Sequence, residues 1–227
     1  MPPTSPSALD ELAHDESSRK KFLRMMGGGG AAAGLAVLLA ACGGDDKKTA
    51  STASTQTSKP TSTGGKSGGK KNDVDIVNYA LMLEYVESDF YRAVIGRNLF
   101  RGRRLDLLKV IGDHELQHVE ALTNTVAQLG GTPVPKPRTR FALGSASAVA
   151  TLAATVENLG ASAYLGQAGR IKSKEVLAAA LSIHTVEARH AAALNRLTGK
   201  RPTPQGAFAK PATMAQVLPK VMPFIVS

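Results

Sequence analysis

Glu115-Leu116-Gln117-His118 interrupts an otherwise apolar helical face, and Glu187-Ala188-Arg189-His190 repeats the arrangement later in the chain. Leu108, Ile111, Leu122, Val126 and Leu129 recur at helical spacing around the first. Val176, Ala180, Ile183, Leu194 and Leu197 do so around the second. Each motif is preceded by a matched pair, Glu84 with Tyr91 and Glu157 with Tyr164. Glu84 and Tyr91 recur 73 residues on, and Glu115 and His118 recur 72 residues on. One helix–turn–helix unit is therefore written twice, with a one-residue difference in a loop. A lone Glu-x-x-His is ordinarily a solvated pair on a helix surface. Two copies in register, each with its own Glu and Tyr on an apolar stripe, need another explanation, because an unpaired carboxylate in a core must be neutralised or joined to a cation.

Working outward, the periodicity predicts four helices. The first runs over about 73–96, with Asn72 or Asp73 as its N-cap, and turns Val77, Leu81, Glu84, Ser88, Tyr91 and Ile95 inward. The second runs over about 104–129 and stops at Gly130-Gly131. The third, about 145–168, aligns Ala153, Glu157, Gly160, Tyr164 and Ala168, and the fourth covers about 173–197. Short connections make the first and second, and the third and fourth, antiparallel neighbours. The Pro-rich passage 132–143 is long enough to be a crossover. The fold class is thus all-α, a four-helix bundle with a long second-to-third crossover. The tail holds at most a short helix near 213–221, and Phe208, Val217, Leu218, Val221 and Phe224 suggest a lid against one end of the bundle.

Glu and His three apart on a helix point the same way, one turn from each other. Two helix pairs, each with a Glu on one helix and Glu-x-x-His on the other, converge four carboxylates and two imidazoles, the ligand set of carboxylate-bridged di-iron or di-manganese centres in bundles. Carboxylates are hard donors able to bridge two cations, and imidazole discriminates against calcium and magnesium. The stretch Leu83-Glu84-Tyr85-Val86-Glu87-Ser88-Asp89-Phe90-Tyr91, the segment Val186-Glu187-Ala188-Arg189-His190 and the tail from Ala207 to Ile225 resemble the ferritin-like superfamily. The likeness is greatest to its exported members grouped with plant desiccation-related proteins. The resemblance implies that Glu84 and His118 serve one metal and Glu157 and His190 the other, with Glu115 and Glu187 bridging. It also implies two iron (or manganese) ions as cofactors, and Tyr91 and Tyr164 as hydrogen-bond partners of ligating carboxylates. Glu87 competes with Glu84, but it corresponds to Gly160 in the second copy, so Glu84 is preferred. His114 and His184 correspond to Val186 and Gly112 and read as surface or outer-layer histidines rather than ligands.

The rest of the chain is not globular. Of a formal charge of +10, residues 43–72 contribute +4 (six Lys against Asp45 and Asp46), residues 1–42 balance at zero, and the remainder carries +6. It has no dense basic stripe and no aromatic interleaving, so nucleic acid is not an expected partner. Cys42 is the one cysteine, which excludes an intramolecular disulfide and cysteine-ligated zinc or iron–sulfur chemistry in the folded part. A basic segment and an apolar run of 15 residues from Gly27 to Ala41 precede it, too short for the ~18–20 residues of a membrane span. Leu39-Ala40-Ala41-Cys42 resembles the bacterial lipobox, and Ser18-Arg19-Lys20-Lys21-Phe22-Leu23-Arg24 resembles the twin-arginine export motif, with Lys20 in place of the second Arg. Residues 1–42 are thus read as a lipoprotein signal peptide with lipidation at Cys42. Residues 43–72 are read as a disordered Gly/Ser/Thr/Lys leash of roughly 30 Å reach, and 73–227 as the folded domain. Export to the outer face of the cytoplasmic membrane or the cell envelope follows.

Two functions fit. One is a redox metalloprotein, a ferroxidase, oxidase or peroxide-handling protein with dioxygen or peroxide as small substrate. The other is a non-enzymatic stress-protective or scaffold protein of the envelope with structural metal or none. Iron storage in a closed shell fits a membrane leash badly, and a homodimer is left open.

Overall fold

The computed structural model describes residues 66–226. The segment expected to be a signal peptide, Cys42 and most of the expected leash lie outside the described residues. Four long helices are present: α1 (Lys66–Gly96), α2 (Gly102–Gln128), α3 (Ala146–Ala168) and α4 (Lys174–Leu197). A short α5 (Met214–Val221) follows, then a 3-10 turn (Met222–Phe224). Arg138–Thr139 (β1) and Ile225–Val226 (β2) form one antiparallel pair, Arg138 opposite Val226 and Thr139 opposite Ile225. No helix among the described residues is long and apolar enough to cross a membrane.

The bundle is built as two hairpins. α1 packs along α2 and α3 along α4, and the hairpins meet through α1 against α3 and α2 against α4. The passage 129–145 therefore joins helices on opposite corners, the crossover expected of its length. Gly130 takes φ +77, the left-handed value that ends a helix. Next to it Gly131 lies so near α1 that a Cβ there would meet Val74 Cγ1 at 2.6 Å. Ser145 and Ser173 cap α3 and α4 by accepting from Ala148 N and Val176 N, each at 3.3 Å.

The first helix starts at Lys66, earlier than its sequence predicts, because Gly68, Gly69 and the flanking lysines have low or unpatterned helix preference and read as linker. Asn72 and Asp73 consequently do not cap α1. They lie within it and reach across to the α3–α4 connection instead. The Asp73 carboxylate accepts from Lys172 N at 2.9 Å and Ser173 N at 2.7 Å, and Asn72 Nδ2 donates to Arg170 O at 2.8 Å. Asp73 is 2% exposed, so a charge that looked local is a buried tie between the hairpins.

Apolar side chains fill the bundle on both sides of its middle. Phe90, Tyr91, Leu108, Ile111, Val149, Ala153 and Leu194 pack at one end. At the other, Ile76, Leu81, Leu122, Val126, Tyr164, Val176 and Ile183 do so. The tail covers a flank of the bundle rather than the end that the sequence suggested. Val217 and Val221 of α5 pack on Tyr79, Leu83 and Val86 of α1 and Ala163 of α3. The approach is close at Gly166, where a Cβ would overlap the Ala212 carbonyl, and Ala212 N donates to Ser162 O at 2.8 Å. Phe208 takes no part in this cover and is 85% exposed.

Candidate metal centre

Between the two apolar ends all four long helices turn polar groups inward at one level. α1 supplies Glu84, α2 supplies Glu115 and His118, α3 supplies Glu157, and α4 supplies Glu187 and His190. The four carboxylates are fully buried and both imidazoles nearly so. Their donor atoms form two overlapping groups, Glu84, Glu115, His118 and Glu187, and Glu115, Glu157, Glu187 and His190, each within 4.8 Å. All six residues singled out in the sequence are thus brought together, and the two shared members are Glu115 and Glu187.

Each histidine presents Nδ1 to the centre. His118 Nδ1 lies 3.0 Å from Glu115 Oε2, 3.2 Å from Glu187 Oε1 and 3.3 Å from Glu84 Oε2. His190 Nδ1 lies 3.0 Å from Glu115 Oε1 and 3.2 Å from Glu157 Oε2. The two oxygens of Glu115 therefore serve different halves of the site. An imidazole Nδ1 carries at most one hydrogen, so it cannot satisfy three oxygens. Glu84 Oε2, Glu115 Oε1 and both oxygens of Glu187 are left buried without a hydrogen-bond partner among the described residues.

Tyr91 and Tyr164 reach across the interface between hairpins. Tyr91 of α1 donates to Glu157 Oε1 on α3, and Tyr164 of α3 donates to Glu84 Oε1 on α1, both at 2.5 Å. Each tyrosine occupies one oxygen of its glutamate and leaves the other facing the centre. Burial, and then the charge of the partner glutamate, holds both phenols well above their usual range, so they remain donors.

The electrostatics report a cluster with too much negative charge. Burial and then neighbouring carboxylates push Glu187 well above the ordinary carboxylate range. Burial likewise raises Glu115, against the opposing hydrogen bond from His118. Burial alone would raise Glu84 too, but the hydrogen bond and charge of His118 hold it lower than usual. His118 is itself pushed up to about 12, burial being outweighed by Glu115, Glu187 and Glu84. One imidazolium offsets one carboxylate, and Glu115 and Glu187 keep their protons to higher pH than an ordinary carboxyl. Divalent cations against these four carboxylates and two neutral imidazoles would offset the charge and serve the orphaned oxygens of Glu84, Glu115 and Glu187. The residues present could therefore hold metal ions.

Two further polar side chains, Glu87 and His114, lie near the centre. Glu87, one turn beyond Glu84, is 3% exposed, with Oε2 unpartnered. The absent side chain at Gly160 makes its room, since a Cβ there would stand 2.7 Å from Glu87 Oε1 and 2.9 Å from Glu187 Oε2. The Glu87–Gly160 mismatch in the repeat, which favours Glu84 as the ligand, is also the sequence signal that marks Glu87. His114 belongs to the outer layer: its Nδ1 is 2.9 Å from His190 Nε2 and the rings stack with centroids 5.2 Å apart. His184 lies away from the centre, against the tail loop beside Pro202 and Pro204.

Residues 72–200 match the family model described as a ferritin-like domain. No curated protein matches the chain.

Proposed function

The chain belongs to the ferritin-like domain family, and from that premise we propose that it is a metalloprotein holding a carboxylate-bridged pair of iron (or manganese) ions. Glu84 and His118 would hold one ion and Glu157 and His190 the other, with Glu115 and Glu187, common to both donor groups, serving both. The observation that carries this reading is that Glu115 and Glu187 belong to both donor groups while retaining buried oxygens with no hydrogen-bond partner among the described residues. Oxygen donors with imidazole favour iron or manganese over calcium or magnesium.

When bound, such a metal pair supplies electrons to dioxygen or peroxide, which makes oxidase, ferroxidase or peroxide-handling activity the function that fits. The chain's own residues do the rest. Tyr91 and Tyr164 hold the terminal glutamates in one orientation. His114 fixes the His190 ring through Nε2 and so leaves Nδ1 for the metal. The apolar layers at both ends exclude bulk water. Lipidation at Cys42 and export complete the proposal, supported by Leu39-Ala40-Ala41-Cys42 at the end of the apolar run. The protein would then work as a domain on a leash at the outer face of the membrane.

The test is anaerobic loading of full-length protein, purified in detergent, with Fe(II), followed by metal analysis and exposure to air or peroxide. Two irons per chain and a rapid optical change are expected. Absence of binding overturns the proposal, and binding without turnover leaves the scaffold function with a structural metal.

A further inference from the structure

The duplicated ligand set is symmetric, but the layer around it is not, and the largest departure is Glu87. Three features set it apart from an ordinary core residue. It is a 97% buried carboxylate, taking its 3% exposure as the remainder, whose Oε2 has no hydrogen-bond partner among the described residues. Its outer side borders a cavity of about 20 Å³, room for about one water, lined otherwise by apolar groups such as Leu83, Val86, Leu159, Val217 and Phe224. Its inner side converges with Glu187 on the space above Gly160, where a single Cβ would crowd both carboxylates at 2.7 and 2.9 Å. After burial, the charges that act on it most, Glu187, Glu84, Glu157 and Glu115, are all negative. Gly160 of α3 leaves the room that admits it.

We propose that Glu87 is a seventh protein ligand, a fifth carboxylate that joins the centre on its Gly160 side and makes the two metal positions unequal. The inference rests on the dinuclear reading above. Four carboxylates neutralise two divalent ions, and a fifth gives the centre an extra negative charge that only one side carries. The ion on that side binds more tightly and fills first. Charge of this kind also favours the higher oxidation state of whichever ion receives it.

Co(II) titration of metal-free full-length protein in detergent, followed by calorimetry and by visible absorption, tests this. Wild-type protein should bind two ions in two resolved steps. Glu87→Gln should weaken the tighter step at least about tenfold, the lower bound set by what outer partners of metal sites contribute, and should alter the absorption of that ion alone. Gly160→Ala, whose methyl crowds Glu187 as well as Glu87, should weaken binding at least as much as Glu87→Gln. Should Glu87→Gln not fold, Glu87→Asp carries the test, since its shorter reach predicts the same weakening. Two steps unchanged within twofold, with unchanged spectra, overturn the role of Glu87 while leaving the dinuclear centre standing. Failure of wild-type protein to bind Co(II) overturns both.

Discussion

Replacing Glu187 by Met removes a shared carboxylate while keeping an unbranched side chain of similar length that adapts to its surroundings. Glu187 is fully buried, both of its oxygens lack hydrogen-bond partners among the described residues, and three other carboxylates oppose its charge. In the metal-free protein it is thus a cost, and exchange of an unsatisfied buried polar group for an apolar one of like volume removes a desolvation penalty of about 1–3 kcal/mol. Taking about 2 kcal/mol, and a slope of about 2–4 °C per kcal/mol for a domain of this size, the metal-free variant should melt about 4–8 °C above wild type. Metal reverses the order. Free ion at a hundred times the dissociation constant stabilises by about 2.7 kcal/mol per site, so about 5 kcal/mol for two sites, or about 10–20 °C. The variant, lacking a ligand common to both ions, should gain little. The assay is thermal unfolding by circular dichroism with chelator and then with excess Mn(II). A metal-free variant that melts below wild type, or a ranking unchanged by Mn(II), would refute the argument that these carboxylates are held against the stability of the fold for the sake of a cation.

The same charge surplus fixes the pH dependence. Glu115, Glu187 and Glu87 have folded-state values well above 4.5, so the native state binds more protons than the unfolded chain. Metal-free stability from these groups is full below about 4.5 and declines as pH rises through their elevated values. Metal binding must displace those protons, so Mn(II) affinity should rise with pH over the same range, with proton release measurable by calorimetry in buffers of different ionisation enthalpy. Tyr91→Phe and Tyr164→Phe each delete a buried donor to a glutamate. Each should lower metal affinity by about 10–100-fold while the helical circular dichroism spectrum is retained. Asp73→Ala leaves the Lys172 and Ser173 amides without their carboxylate. It should cost about 2–4 kcal/mol by thermal unfolding with metal affinity unchanged, whereas an exposed cap would cost less than half of that.

The bundle was legible because its apolar stripes are long and its helix ends carry ordinary signals, Ser145 and Ser173 before α3 and α4 and Gly130 after α2. The convergence of the six polar groups was legible for a different reason: duplication turns two weak motifs into one constrained pattern. What escaped the sequence was long-range. Asp73 looks like a cap until the α3–α4 turn is brought beside it, 99 residues away. The tail reads as an end cover because its apolar residues say that it packs but not on which face, and Gly166, which admits the Ala212 carbonyl, carries no pattern of its own. The early start of α1 was hidden by Gly68 and Gly69, whose weak propensity is overridden by the rest of the helix.

The departures from symmetry share a physical logic. Gene-like duplication gives each half the same Glu, Tyr, Glu and His, and the structure keeps those pairs equivalent to the point that each tyrosine bonds the other half's glutamate at the same distance of 2.5 Å. Equivalent halves would hold two equivalent ions. The outer layer breaks the match on two different faces, with Glu87 facing Gly160 between α1 and α3, and His114 of α2 stacked on His190 of α4. Neither residue has a counterpart in the repeat, where Gly160 and Val186 stand. An inner ring can preserve the geometry that two cations require while a few outer side chains set how unlike those cations are. In this chain, chemistry that needs one ion to act before the other would be written in that outer layer, and Glu87 and His114 are the places to alter it without dismantling the ring.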